Sequence, residues 1–254
     1  MTPRFSAHRF AAGAALAAAL VLTGCGDGGN DLNQAAASQN TPLPQIPAPD
    51  NGDWTQVVQE TEQGGFRMGN PDAPVKLVEY ASITCPACAQ FSQAAHAELT
   101  NNYVKSGQVS WEYRPFMLFP TDPGLFQLLR CQGPQPFFAL VEQIYASQAE
   151  WSGRLRDLPP AQLDALGAMP PQQQAGAIVR AIGMDQFFRQ RGMPQSRVDQ
   201  CLADPAGLQR LADIQNVGTA DNVTGTPAFF INGTQTNVSS WQELQPMLRR
   251  AIGL

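Results

Sequence analysis

Apolar positions cluster into three short runs that have the length and spacing of β-strands. Residues 75–82 form a nearly continuous apolar run, which is typical of a strand buried on both faces of a central sheet. Residues 109–113 alternate between apolar and polar side chains, as a half-buried strand does. A third run, residues 225–231, is followed by Asn232-Gly233, the strongest short signal for a hairpin turn. The pattern therefore predicts strands at both ends of the folded region.

Between these strands the apolar positions follow the helical period. Phe137, Val141, Ile144 and Tyr145 fall at i, i+4, i+7 and i+8, on one face of an amphipathic helix. Further segments of this kind predict a helical insertion over about residues 120–221. One predicted helix begins near Cys85 and runs through Leu99 towards Val104. Others cover residues 160–167, 172–182, 184–190 and 206–219. A closing helix has Leu244, Leu248 and Ile252 on its inner face. The predicted order is strand, helix, strand, helical insertion, hairpin and helix.

The first residues of the chain have the layout of a signal peptide. Basic residues precede an apolar run over residues 11–22, which is too short to span a bilayer as a mature helix. The run ends in Leu22-Thr23-Gly24-Cys25, which resembles the lipobox of bacterial lipoproteins, in which the cysteine is lipidated and becomes the mature N-terminus. An ordinary secretory signal with a chance cysteine is the alternative. We therefore expect residues 1–24 to be a lipoprotein signal peptide and Cys25 to carry the lipid.

Residues 25–60 have a different composition from the segments on either side. They are rich in Gly, Asn, Gln, Ala and closely spaced Pro, and they lack an apolar period. Such a composition is typical of a disordered tether, flexible where Gly and Asn dominate and extended where Pro dominates. The folded domain is then expected over residues 61–254.

Charge and cysteine count narrow the possible functions. The 254 residues contain 16 basic and 21 acidic side chains, a balance that argues against nucleic-acid binding. Of the five cysteines, Cys25 is assigned to lipid, which leaves Cys85, Cys88, Cys131 and Cys201. Outside the cytosol these four are free to pair, so two disulfides are the economical hypothesis.

The motif Cys85-Pro86-Ala87-Cys88 lies where the first strand ends and a helix begins. Proline is tolerated at the first helical position, so the helix is expected to start near Cys85. Unpaired N–H groups and the helix dipole favour a thiolate there, which lowers the pKa of Cys85 from about 8.5 into the range of roughly 3.5 to 7.5. Cys88, almost one turn further along, is expected to be the more buried sulfur.

Together, these residues resemble a known family. The motif at Cys85, the helical insertion, and Val223-Thr224-Gly225-Thr226-Pro227 before an apolar strand are similar to the DsbA-like thiol:disulfide interchange proteins of the thioredoxin superfamily. The resemblance covers about residues 66–254. It implies an α/β fold, the thioredoxin fold, in which a central mixed sheet is flanked by helices and carries an inserted all-helical subdomain.

The resemblance also implies roles for single residues near the motif. Pro227 matches a cis proline that lies against the active-site disulfide, and Thr226 matches the residue whose backbone is offered to an extended substrate. Glu79 matches a buried acid that moves protons to and from the inner cysteine. Strand alternation would place Glu79 and Cys85 on opposite sides, and a strand carboxylate paired with a neighbouring cation is the alternative for Glu79.

The motif departs from the strongly oxidising members of the family at one position. Ala87 stands where they have histidine, so one stabiliser of the Cys85 thiolate is missing. Since stabilising the reduced form makes such a couple oxidising, we expect a reduction potential less positive than theirs.

The two remaining cysteines, Cys131 and Cys201, lie near the two ends of the helical insertion. Some relatives carry a second, non-catalytic disulfide in this subdomain, so a structural disulfide is expected. Closing a loop of this length would contribute on the order of 4 kcal/mol. Two buried free thiols, or a second redox pair, are the alternatives.

The function expected from these observations is thiol:disulfide exchange at Cys85 and Cys88 on exported proteins, in the direction of dithiol oxidation. Disulfide isomerisation or reduction is the first alternative, and a non-enzymatic copper-binding module that uses Cys85 and Cys88 as soft ligands is the second. No cofactor is expected. The expected partners are exported protein thiols and disulfides and a membrane redox partner that recycles the protein. The expected location is the bacterial cell envelope, facing the periplasm, with the lipid at Cys25 as the only membrane attachment.

Overall fold

The structure, a computed structural model, describes residues 41–254. The predicted signal peptide (residues 1–24), the lipid site at Cys25 and the first part of the predicted tether lie outside the described residues. Those three predictions therefore remain predictions.

A six-stranded mixed sheet forms the centre of the described region. Its strands are β1 (Val58–Glu60), β2 (Phe66–Met68), β3 (Val75–Ala81), β4 (Val109–Pro115), β5 (Ala228–Ile231) and β6 (Thr234–Gln235). The strand order is β1-β2-β4-β3-β5-β6, with β3 parallel to β4 and antiparallel to β5. β3 is therefore an inner strand, as its apolar run predicted.

Ten α-helices surround and extend this sheet in the described residues. They are α1 (Pro86–Glu98), α2 (Asp122–Cys131), α3 (Phe137–Ala146), α4 (Gln148–Arg156), α5 (Pro160–Gly167), α6 (Pro171–Ala181), α7 (Met184–Arg189), α8 (Gln195–Leu202), α9 (Pro205–Ala220) and α10 (Trp241–Ile252). A π-helical segment, Leu99–Val104, continues α1. The crossover from β3 through α1 to the parallel β4 is the predicted βαβ unit, and α2 to α9 form the predicted helical insertion.

Aromatic side chains join the sheet to the helices on its faces. Phe91 of α1 packs on Phe229 of β5, with ring centroids 4.5 Å apart. Phe138 of α3 packs on Trp111 of β4 at 4.8 Å. The helix of the βαβ unit and the helical insertion therefore share one hydrophobic core with the sheet. The insertion packs at the end of the sheet where β3 terminates.

The described part of the predicted tether is folded, which corrects the prediction for residues 41–60. Residues 41–60 lie against the domain: Trp54 is 8% exposed, and its Nε1 donates to Ile46 O at 2.8 Å. Ile46 N in turn donates to Ser106 O at 2.7 Å, and β1 pairs with β2. The sequence did not predict these contacts, because a single buried tryptophan and a three-residue strand produce no periodic pattern of apolar residues.

Candidate redox site

The redox motif lies at the junction of β3 and α1, on the helix N-terminus. Cys85 is the N-cap residue and Pro86 is the first residue of the helix. Cys85 Sγ accepts a hydrogen bond from Cys88 N at 3.4 Å. Proline at this position removes no needed donor, because the first N–H groups of a helix have no partner within the helix. The remaining N–H groups are free to face the sulfur.

The two cysteines are unbonded thiols in this structure and differ in exposure. Cys85 is 6% exposed and Cys88 is 0% exposed. Pro86 and Ala87, between them, are exposed. Cys88 is therefore the more buried of the two sulfurs, as the motif predicted.

The electrostatic environment separates the two thiols further. A hydrogen bond from the Cys88 thiol and the nearby backbone N–H groups lower the pKa of Cys85 to about 6, against the opposing effect of burial. Burial raises the pKa of Cys88 well above its usual value, and the hydrogen bond to Cys85 adds to that shift. Near neutral pH the site therefore holds a thiolate at Cys85 and a protonated thiol at Cys88.

The chain returns to the motif just before β5. The Thr226–Pro227 peptide bond is cis. Cys85 Sγ and Thr226 O are 3.3 Å apart. The residues singled out by their resemblance thus lie beside the redox cysteine, although they are about 140 positions away in the sequence.

Glu79 is a buried acid beneath this junction. It is 1% exposed, and Trp111 Nε1 donates to its Oε2 at 3.0 Å. Burial raises its pKa to about 8, with a smaller contribution from the charge of Cys85. Within residues 41–254 none of the ion pairs includes Glu79. The alternative of a cation-paired strand carboxylate is therefore wrong.

The alternation argument that separated Glu79 from Cys85 does not apply, because the strand ends before the cysteine. β3 ends at Ala81, and Cys85 N donates back to Ser82 O at 3.2 Å, which closes a turn. We call residues 82–85 the redox loop. The turn breaks the two-residue period, so the side on which Cys85 lies is set by the turn.

Three polar side chains of the helical insertion contact the main chain of the redox loop. They are Asp122 at the start of α2, Tyr145 in the last turn of α3 and Gln148 at the start of α4. Sequence reasoning missed all three, as it missed the Trp111 donor to Glu79. They occur on helices and a strand without motif spacing, and no local signal distinguishes them from ordinary helix-end and core residues.

The second pair of cysteines forms a disulfide. Cys131, at the end of α2, is bonded to Cys201 in α8, with their Cα atoms 6.1 Å apart and 70 positions apart in the sequence. Cys201 is 4% exposed. This bond ties two helices within the insertion, at a distance in the sequence that only the folded chain closes.

In the part of the chain that the structure describes, no group of three or more His, Cys, Asp or Glu side chains is placed to hold a metal ion. Over the same residues, none of the helices has the length and apolar character needed to cross a bilayer.

The sequence and fold are similar to those of known proteins. A family model described as thioredoxin matches residues 61–250. A crystal structure of a protein-disulfide isomerase from Novosphingobium aromaticivorans is 30% identical, with a TM-score of 0.71, and the match covers 74% of this chain and 97% of that one. The alpha-DsbA1 structure from Wolbachia pipientis is 18% identical, with a TM-score of 0.59, over 82% of this chain and 94% of that one, and shares the fold.

Relatives found by sequence are similar to this chain at lower identity. A chain named as a candidate protein-disulfide oxidoreductase in Rickettsia prowazekii is 26% identical over 202 residues, or 78% of this chain. The match covers 65% of the Rickettsia protein, so this chain spans just under two thirds of that relative. The match in Rickettsia felis, also 26% identical, covers 72% of that relative.

Proposed function

The chain belongs to the thioredoxin family, and from this premise we propose that it is a thiol:disulfide oxidoreductase that uses Cys85 and Cys88 to oxidise dithiols of exported proteins. The observation that carries the proposal is the asymmetry of the two sulfurs. Cys85 is at the helix N-terminus with a pKa of about 6, while the pKa of the buried Cys88 is well above its usual value. A thiolate stabilised in the reduced form makes the corresponding disulfide a better oxidant.

The proposed reaction starts from the oxidised protein. A substrate thiolate attacks Cys85 Sγ, the Cys85–Cys88 bond breaks, and its electron pair goes to the Cys88 sulfur. A second substrate thiolate then attacks the substrate sulfur of the mixed disulfide, and Cys85 leaves as a thiolate. The substrate loses two electrons and the protein gains two. The low pKa of Cys85 makes it the better leaving group in the second step.

Glu79 is the proposed proton donor to Cys88. The thiolate formed at Cys88 in the first step takes up a proton readily, because burial raises its pKa. Glu79 has a pKa of about 8 and is therefore protonated at neutral pH. When Glu79 is ionised, its charge raises the pKa of Cys88 further. A general acid is most effective when its pKa is near the working pH.

Turnover requires an oxidant that removes the two electrons from the reduced protein. We propose a membrane redox protein for this step, with the lipid at Cys25 holding the domain on the periplasmic side of the cell envelope. The support for this location is the signal-like start of the sequence. Labelling with a radioactive fatty acid in a bacterial host, with Cys25→Ser as the control, tests the anchor.

The oxidised protein mixed with a reduced dithiol peptide tests the activity. We expect the peptide to be oxidised as the protein is reduced, and the reverse reaction to be slower. Cys88→Ser should accumulate a mixed disulfide at Cys85, and Cys85→Ser should form none. The double variant Cys131→Ser, Cys201→Ser is the matched control for cysteine loss and should retain exchange.

Equilibration in glutathione buffers, with alkylation and mass spectrometry of the cysteines, decides the direction. A potential towards about −120 mV supports an oxidase, and one near −270 mV supports a reductase that needs an electron donor. Absence of a Cys85 mixed disulfide with either a thiol or a disulfide peptide would overturn the proposed activity in both directions.

A further inference from the structure

The side-chain amide of Gln148 bridges two carbonyl groups of the redox loop. Its Nε2 donates to Ile83 O at 2.8 Å and to Cys85 O at 3.0 Å. Gln148 is 8% exposed, so these bonds are made in a site from which water is largely excluded. A primary amide has two N–H donors, and here each has a separate carbonyl acceptor.

Asp122 and Tyr145 also contact the same loop. Thr84 N donates to Asp122 Oδ1 at 3.0 Å, and the Thr84 hydroxyl donates to the same oxygen. The Tyr145 hydroxyl donates to Ser82 O at 2.9 Å. The insertion thus supplies donors to the loop carbonyls and an acceptor to the loop N–H, from three different helices.

Tyr113 of β4 adds a second layer to this arrangement. Its hydroxyl oxygen is 2.8 Å from that of Tyr145. Since the Tyr145 hydroxyl proton is directed at Ser82 O, Tyr113 must be the donor between the two rings. The sheet therefore holds the orientation of the tyrosine that contacts the loop.

The position of the loop matters because it holds the Cys85 sulfur at the N-terminus of α1, where Cys88 N donates to it. Cys85 Sγ is 3.4 Å from Cys88 N and 3.3 Å from Thr226 O. Of these two contacts, only the bond from Cys88 N can stabilise the thiolate, because Thr226 O is an acceptor and can bond only the protonated thiol. A shift of the loop away from the helix N-terminus would lengthen the stabilising bond. The same carbonyl of Cys85 also accepts the first helical bond, from Ala89 N at 3.2 Å.

We propose that Gln148 is a positioning residue for Cys85, through which the helical insertion holds the redox loop in the geometry that its thiolate requires, with Tyr145 and Asp122 supporting the same loop. The proposal rests on the proposed function, since it explains how the reactivity of that site is set. Gln148 acts through the backbone of Cys85 and does not contact the reacting sulfur itself.

The chain contains a matched control for this role. Gln127 of α2 is also buried, at 4% exposure, and its Nε2 also donates to two main-chain carbonyls, Cys201 O at 3.1 Å and Asp204 O at 3.0 Å. Both acceptors belong to the insertion and neither is in the redox loop. Gln148→Met and Gln127→Met therefore remove the same kind of interaction, and only the first removes it from the loop.

The experiment measures the thiolate absorbance of the reduced full chain against pH. In Gln148→Met the midpoint for Cys85 is expected to rise by about one unit, which is a tenfold loss of thiolate at pH 5. Gln127→Met should leave that midpoint unchanged while lowering thermal stability to a similar extent. Tyr145→Phe, which removes one hydroxyl and keeps the ring, should shift the midpoint in the same direction by a smaller amount.

Two results would overturn the proposal. One is an unchanged Cys85 midpoint in Gln148→Met. The other is an equal shift in Gln148→Met and Gln127→Met, which would mean that any loosening of the insertion has this effect. If Gln148→Met does not fold, Tyr145→Phe against Gln127→Met decides the question. The titration reports on Cys85 whether or not the protein oxidises exported proteins, so it stands apart from the proposed activity.

Discussion

Replacing Glu79 by glutamine should remove a pH dependence of stability that the wild-type protein has. Glu79 is 1% exposed, and burial raises its pKa from 4.5 to about 8. Glutamine has almost the same shape and keeps a side-chain oxygen that can accept the hydrogen bond from Trp111 Nε1. The substitution therefore removes the ionisation with little change in packing.

The size and sign of the effect follow from the difference in pKa between the folded and unfolded chains. A pKa that is higher in the folded state gives stability that is fully present below pH 4.5 and is lost as the pH rises to about 8. At 1.36 kcal/mol per unit, the whole loss is about 5 kcal/mol. Between pH 5 and pH 8 the free energy of unfolding should fall by about 3 to 4 kcal/mol.

Urea unfolding of the two proteins at several pH values between 5 and 8 measures this difference. The protein should be in its disulfide form, because bonded cysteines do not titrate. The contributions of the other titratable groups to the pH dependence then cancel between wild type and Glu79→Gln. The wild-type free energy of unfolding should fall relative to that of the variant as the pH rises. Curves that remain parallel would mean that Glu79 is ionised in the folded protein, and its proposed role as proton donor to Cys88 would lose its basis.

Three further outcomes are expected. In the reduced protein, iodoacetamide should modify Cys85 with a midpoint near pH 6, and Cys88 should react only after unfolding; equal reactivity would contradict the asymmetry. Replacing Cys131 and Cys201 by alanine should lower the free energy of unfolding by about 4 kcal/mol, measured by urea unfolding, and leave dithiol exchange intact. Trp54→Ala should cost about 3 kcal/mol or more, whereas an unstructured tether would show no change in the unfolding midpoint.

Local sequence patterns predicted the elements whose cause is local. The apolar run of β3, the proline after Cys85 and the Asn232-Gly233 turn each act within a few residues, and the structure has a strand, a helix start and a hairpin at these places. Both turn residues have positive φ, 50° at Asn232 and 82° at Gly233, which these residue types adopt most readily. The resemblance then supplied the fold, which the strand order and the insertion confirm.

Other features were not predicted because their signal is too short. β1 and β2 have three residues each, so neither the two-residue nor the helical period can be recognised in them. That the described part of the predicted tether is folded was not predicted for the same reason. Its contacts with Ser106 and with β2 join segments that are far apart in the sequence.

The sequence by itself determined the redox chemistry of this protein, because a Cys-Pro-Ala-Cys motif at a strand-to-helix junction requires only neighbouring residues to place a thiolate at a helix N-terminus. Only the tertiary structure decided that Glu79 is buried without a cation and that the Thr226–Pro227 bond lies against Cys85. It also decided that Gln148, 63 positions after Cys85, holds the loop that carries it. These features depend on contacts between distant segments, and burial and dielectric environment are properties of the packed chain.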